Sequence, residues 1–342
     1  MRLPWLTTVA AALALGAVMP AGAADGRPEK PSLRIAVGGR SALFYLPLTV
    51  TERLGYFSDA GLDVEIVDLS SGARTLLAVV SGTADVGTGT FDHAIQMQAK
   101  QQPVVAVVET GRYPGLVMGV IVAKASRFRE PRDLKGMVIG VTGLGSSTHF
   151  MAGHIMISHG LNPDTDASFV AIGTTATAVA AARRGELDAI VTSDPMASLM
   201  THEKLITVVA DTRTADGTAA VYGGPCPGGV VYATPAFIRD HPATTQAVVD
   251  AFVRGLRWIA GHSPEEIAAL MPPDYDMGNR AIYVDAIAAS KPMYSPDGRI
   301  LPGAAETAYA VLKEFNPAVA SARIDLTKTY TDAFVARPPA GP

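Results

Sequence analysis

The chain has 342 residues, with 28 Lys and Arg against 32 Asp and Glu, and a formal charge of −4. That balance supplies no basic field for nucleic acid or an anionic membrane. A single cysteine, Cys226, excludes an intramolecular disulfide, so the 48% apolar fraction must provide the stability through buried cores.

Arg2, the apolar stretch Trp5–Met19 and then Pro20-Ala21-Gly22-Ala23 have the parts of a secretory signal peptide, cut after Ala23. The apolar run falls short of the roughly 20 residues that a spanning helix needs. No cysteine stands at the cut to take a lipid, so residues 1–23 predict release into the periplasm. The remaining chain is long enough for two domains of ordinary size.

Next, β-branched runs alternate with helical stretches. Leu33–Val37 predicts a strand, Phe44–Leu54 a helix, Asp63–Asp68 a strand and Ala73–Val80 a helix. Val86 opens a short strand, Phe91–Ala99 a helix, and Val104–Val108 another strand. This rhythm predicts βαβ units and a mostly parallel sheet. Tyr113-Pro114-Gly115 interrupts it before the apolar strand Leu116–Ala123, and marks entry into a second lobe.

The second lobe repeats the pattern. Strands are predicted at Val138–Val141, Phe169–Ile172, Ala189–Val191 and Ile206–Ala210, with helices at Thr148–Ser158 and Thr177–Arg184. The Gly/Pro-dense run 223–229 reads as a hinge, and Val230–Ala233 as a strand returning to the first lobe. From Pro235 the chain reads as helical, with named helices at Pro242–Ile259, Pro264–Leu270 and Ala304–Phe315. The division is 32–113 with 229–335 as lobe 1, 114–228 as lobe 2, and 336–342 as a disordered Pro-rich tail.

Several phrases then occur in a telling order. Tyr45-Leu46-Pro47-Leu48 is followed by Glu52-Arg53-Leu54-Gly55-Tyr56-Phe57, Gly61-Leu62-Asp63-Val64 and Gly82-Thr83-Ala84-Asp85-Val86-Gly87. Gly140-Val141-Thr142-Gly143-Leu144-Gly145-Ser146-Ser147-Thr148-His149, Arg184-Gly185-Glu186-Leu187-Asp188-Ala189 and Asp194-Pro195 come later. Over about Leu33 to Phe252 the chain resembles the nitrate/sulfonate/taurine-type substrate-binding proteins of ABC importers. The resemblance implies an α/β, type II periplasmic-binding-protein fold: two α/β lobes joined by two crossover segments, with the ligand in the cleft. It also implies a small-molecule solute, an ABC permease in the inner membrane as partner, and a monomer.

The strongest candidate for ligand contact is Gly143-Leu144-Gly145-Ser146-Ser147-Thr148. It joins a predicted strand to a predicted helix, where free N–H groups and the helix dipole suit an oxyanion. Gly145 allows close backbone approach, and Ser146, Ser147 and Thr148 offer hydroxyls; one of them also suits a helix cap. Across the expected cleft stand Arg40, Ser41 and Phe44, with Ser71 and Thr90 at equivalent strand ends. Arg40 fits either a bidentate clamp on a carboxylate or sulfonate or a solvated surface role. Arg112 lies beside the first crossover, lining the cleft or forming hinge surface. Asp194 contacts an amine or hydroxyl of the ligand, or caps the helix that follows. Val191-Thr192-Ser193 replace the aromatic residues that sulfonate and taurine binders often carry before Asp-Pro, so this side of the cleft should be small and polar. The class suggested is a small anionic organic solute, of sulfonate or carboxylate type.

No cofactor or metal is expected. Gly143-x-Gly145 begins a dinucleotide fingerprint, but Thr148 stands where its third glycine belongs. His149, His154 and His159 are spaced too widely to share one helix face. Cys226 falls in the second hinge loop as a packed thiol. The rival class is an enzyme on the same fold, resembling a menaquinone-pathway dehydratase or a pyrimidine-forming synthase, or else a heteroaromatic, pyrimidine-binding receptor. The leader and the missing Cys-rich motif of the synthase count against the enzyme.

Overall fold

The computed structural model describes residues 27–173 and 176–335. The expected leader and the Pro-rich tail lie outside the described residues. The chain begins with β1 (Ser32–Val37), α1 (Leu46–Arg53), α2 (Tyr56–Asp59), β2 (Asp63–Asp68), α3 (Gly72–Val80), β3 (Val86–Thr90), α4 (Asp92–Ala99) and β4 (Val105–Glu109). It then crosses to β5 (Leu116–Ile121), α5 (Val122–Ala125), β6 (Val138–Val141), α6 (Ser147–Ser158), β7 (Ser168–Ala171) and α7 (Ala176–Arg183). There follow β8 (Ala189–Ser193), α8 (Met196–His202), β9 (Ile206–Asp211) and α9 (Ala215–Tyr222). After β10 (Gly229–Ala233) the chain is helical: α10 (Pro235–Asp240), α11 (Pro242–Gly261), α12 (Pro264–Leu270), α13 (Arg280–Ser290), α14 (Ala304–Phe315) and α15 (Pro317–Ser321).

Two five-stranded sheets result, ordered β2-β1-β3-β10-β4 and β7-β6-β8-β5-β9. The type II periplasmic-binding-protein architecture expected from sequence is present as two α/β lobes, with the chain passing between sheets twice. The expectation of mostly parallel sheets needs one correction. β10 runs antiparallel to both β3 and β4, and β5 antiparallel to both β8 and β9. Both are the strands that enter a lobe from the opposite one, so their direction is set by the crossover and not by a covering helix. The predicted strand Leu116–Ala123 also stops early, because Val122 starts α5.

The helices form where apolar residues recur at helical spacing. In α11, Val248, Val249, Phe252, Leu256 and Ile259 are buried along one stripe. Burying each large apolar side chain contributes roughly 1.5–3 kcal/mol, which fixes α11 over α1 and β4. α6 is different: Thr148 and every residue from Phe150 to Met156 are buried. It is enclosed by its own sheet on one side and by α14 on the other. Gly153 permits this contact, because a Cβ there would lie 2.2 Å from the Phe315 ring.

The C-terminal helices hold both lobes. In α13, Ile282 joins the core of Met196, Leu199 and Met200 in the second lobe. Its neighbours Tyr283, Ala286 and Ile287 pack with Leu43 and Leu46 of the first. On the opposite side, Ala304, Ala308 and Leu312 of α14 share a cluster with Phe91, just before α4, Ile95 of α4 and Phe150 of α6.

Candidate functional site

Both sheets end their parallel strands at the same cleft, so the loops after β1, β3 and β6 face one another. The first lobe contributes Gly38, Ala42, Phe44, Tyr45, Gly72, Thr90 and His93 to a cavity there, and the second contributes Leu116, Thr142, Ser146, Ser147, Thr148 and Ser193. Its volume is about 40 Å³, room for only a few water molecules. The lobes are therefore drawn together, and a larger solute must part them. Within the first lobe the backbone behind the cavity is closely packed: a Cβ on Gly38 would lie 2.6 Å from the Gly72 nitrogen and 2.7 Å from the Tyr45 hydroxyl.

One set of hydrogen bonds across the cleft centres on Ser147. Ser147 at the start of α6 donates through Oγ to Asp92 Oδ2 of the first lobe at 2.6 Å, and lies 2.5 Å from Thr90 Oγ1. Thr90 Oγ1 in turn donates to Asp92 Oδ1 at 2.5 Å. Beside them, Thr142, Ser146 and Thr148 form a closed hydroxyl group, with oxygens 2.8–3.0 Å apart. Ser146 Oγ also donates to the Gly143 carbonyl at 2.7 Å, so it does not cap α6.

His93 is the uncommitted group on this wall. It is 0% exposed, and neither ring nitrogen has a hydrogen-bond partner. Its Nε2 lies 3.9 Å from Asp92 Oδ1, and Tyr232 stands edge-on at 5.9 Å. Burial lowers the His93 pKa below its ordinary value, and the Asp92 carboxylate only partly opposes this. The imidazole is neutral, with one nitrogen to donate and one to accept. Burial pushes the Tyr45 phenol up, with Asp68 and Asp92 adding to the shift, so it too stays protonated.

Thr90 and Ser147 are shared with a second small cavity, of about 30 Å³, which Asp92 lines and which Pro114, Phe150, Tyr222, Cys226 and α14 close. Among the described residues, no Arg or Lys lines either cavity. Cys226 is buried, and that burial pushes its thiol pKa up, away from reactivity.

The predicted site residues divide. Phe44, Thr90, Ser146, Ser147 and Thr148 come together at the inner cavity. Ser71 sits at its edge, capping α3 by accepting from the Arg74 nitrogen at 3.3 Å, and close to Gly143 across the cleft. Gly145 adopts φ +79° and gives its N–H to His149 Nδ1 at 3.1 Å, outside the cavity lining. Arg40 and Ser41 line a broad outer basin of about 700 Å³ with Glu52, Arg53 and Asp68. There the Arg40 guanidinium pairs with Glu52, and Arg40 is not among the residues lining the inner cavity. Arg112 lines neither cavity; its N–H bonds the Met293 carbonyl at 2.8 Å.

Asp194 takes the capping alternative. Its Oδ1 accepts from Ser198 N at 2.9 Å and Ser198 Oγ at 2.7 Å, and its Oδ2 from Arg213 Nη1 and Ser290 Oγ, both at 2.8 Å. No carboxylate oxygen is left over for a ligand. Its backbone carbonyl accepts from Leu43 N at 2.7 Å, tying the second lobe to the first. The sequence reading passed over Asp92, His93 and Tyr232. Asp92 opens a helix directly after a strand end, the position already suspected for Thr90, and that offset was the available signal.

With this geometry in view, comparison with known proteins gives one clear result: the family described as "NMT1/THI5 like" matches residues 45–267. The chain belongs to that family. A solved structure from Bordetella bronchiseptica RB50 is 40% identical, with a TM-score of 0.87, over 90% of this chain and 97% of that one. The alkanesulfonate-binding protein SsuA from Xanthomonas axonopodis pv. citri, bound to MOPS, shares the fold at 18% identity. Its TM-score is 0.69, over 88% of this chain and 98% of its own. Among curated relatives, the binding protein YtlA of Bacillus subtilis is 20% identical over 75% of each chain. The 4-amino-5-hydroxymethyl-2-methylpyrimidine phosphate synthase THI11 of Saccharomyces cerevisiae matches at 29% identity over 101 residues, 29% of each chain. The two solved structures share the two-lobed fold of this chain.

Proposed function

We propose that this protein is the extracytoplasmic receptor of an ABC importer. It captures a small ring-bearing solute between its lobes and hands it to a membrane permease. The observation that carries the reading is His93: a fully buried imidazole with both nitrogens free, on the wall of a cavity to which both lobes contribute. Buried polar groups are ordinarily satisfied, and an orphan facing a cavity awaits a partner. Phe44 and Tyr45 beside it supply aromatic surface for a flat ring. A solute touching His93 on one lobe and Thr142 or Ser193 on the other gains contacts only when the lobes close. It therefore shifts the population toward the closed form.

A thermal-shift screen of the chain from Ala24 tests this, with pyrimidines, aromatic acids, carboxylates, sulfonates and nitrate. A solute at about 100 times its Kd adds about 2.7 kcal/mol of stability. One clear hit, abolished by Ser147→Trp and recovered chemically unchanged, is the expected result. The partial match to the yeast synthases supports an enzymatic second reading, and conversion of the bound solute would decide in its favour.

A further inference from the structure

We infer that Asp92 sets the charge of the solute: its carboxylate stands in the oxyanion position at the start of α6 and keeps anions out, so the solute accepted is neutral or cationic. This deepens the receptor reading and rests on it for the existence of a solute. It replaces the anionic class that the sequence suggests.

The start of a helix attracts negative charge through its unpaired N–H groups and its dipole. At α6 that attraction is already met from within the protein. Ser147, the first residue of the helix, gives its hydroxyl proton to Asp92 at 2.6 Å, and Thr90 gives its own to the other carboxylate oxygen at 2.5 Å. Hydrogen bonds to an ionised acceptor are the strong ones. The Asp92 side chain is 16% exposed, so a second anion brought beside it would meet a like charge with little water to screen it.

Nothing else on the walls compensates. Among the described residues, neither cavity is lined by Arg or Lys. Arg40 is held by Glu52, and Arg213 by Asp194 and Asp211. His93 provides the independent sign that the wall meets a ligand, and it is an uncharged imidazole. The hydroxyls of Thr142, Ser146 and Thr148 are paired among themselves. A solute in the inner cavity therefore faces a neutral imidazole and a phenol, with the Asp92 carboxylate 3.9 Å from the imidazole Nε2 and lining the adjoining second cavity, a set that suits a molecule rich in N–H or O–H donors.

The test uses sulfate, a compact oxyanion, on the full mature chain at constant ionic strength. Wild type, Asp92→Ser and the near-isosteric Asp92→Asn are titrated, with folding checked by far-UV circular dichroism. Asp92→Ser carrying Ser147→Trp reports the general stabilising effect of the salt. Removal of Asp92 is expected to raise sulfate affinity at least roughly tenfold (about 1.4 kcal/mol), with the gain lost in the double variant. The inference is overturned if wild type binds sulfate as well as the variants do, or if the folded variants bind it no better. Because the probe is inorganic sulfate, an empty solute screen sinks the receptor reading alone and leaves this comparison decisive.

Discussion

Asp194→Asn should be among the more damaging conservative substitutions in this chain. The carboxylate is 1% exposed and accepts four hydrogen bonds, two on each oxygen. An asparagine can keep its carbonyl toward Ser198, but its NH₂ then faces the Arg213 guanidinium and the Ser290 hydroxyl, which are also donors. Breaking a buried ion pair in this way costs about 3–5 kcal/mol. Arg213 retains Asp211 at 2.6 Å, which places the expected loss near the lower end, about 3 kcal/mol. Urea unfolding would show it as a lower midpoint at unchanged slope. Arg213→Met should lose a similar amount, and a double-mutant cycle should return a coupling of about 2 kcal/mol. A loss below about 1 kcal/mol for Asp194→Asn would refute the assignment, since a typical surface ion pair is worth no more than that.

Three further outcomes follow from the packing. Glu109 is fully buried, and burial raises its pKa well above the ordinary value, against the opposing pull of Ser295 and Arg112. The folded state therefore holds this proton more tightly than the unfolded chain, and the stability that the group contributes at low pH is lost as pH rises through the folded pKa. Glu109→Gln should raise the unfolding free energy at pH 7 by an amount on the order of 1–2 kcal/mol, seen as a higher melting temperature, and should have no such effect below the unfolded pKa of about 4.3. Gly153→Leu should cost about 1–3 kcal/mol by overpacking α6 against α14, and Phe315→Ala in the same chain should recover part of it, read by thermal unfolding. Ser147→Trp should fold normally yet show no heat of binding in calorimetry with any solute found by screening; retained affinity would remove this loop from the site.

Much of this architecture is legible in the sequence because each lobe repeats one local rule, a β-branched run followed by a helix that stops at glycine. Two of the helices not named from sequence, α9 and α13, lack a clean apolar signal. α9 carries Gly217, whose Cβ would sit 1.9 Å from the Asp211 carbonyl, so packing and not propensity selects the residue. α13 is buried on two sides, by the first lobe through Tyr283 and Ile287 and by the second through Ile282, and so shows no clean amphipathic stripe. At the site, the loop after β6 was readable from its strand–glycine–helix pattern. Asp92 and His93 were not, because an acidic residue in a first helical turn and a lone histidine have common structural roles. Their meaning depends on Ser147, more than fifty residues away along the chain. Arg40 failed for the opposite reason: a cation near a strand end suits an anion, but Glu52 one helix later is close enough to take it.

The place of β10 between β3 and β4 has a consequence for how the chain is made. The second sheet draws all its strands from one unbroken stretch, β5 to β9, whereas the first lacks its fourth member until Gly229 has been added. On a chain emerging from its N-terminus, the sheet begun later has all its strands earlier. Until Gly229 is added β3 and β4 carry open edges, the feature that invites pairing with other chains. The protein is thus most exposed to misassembly while the strands of its second sheet are already made, and the arrival of five residues, Gly229–Ala233, ends that interval.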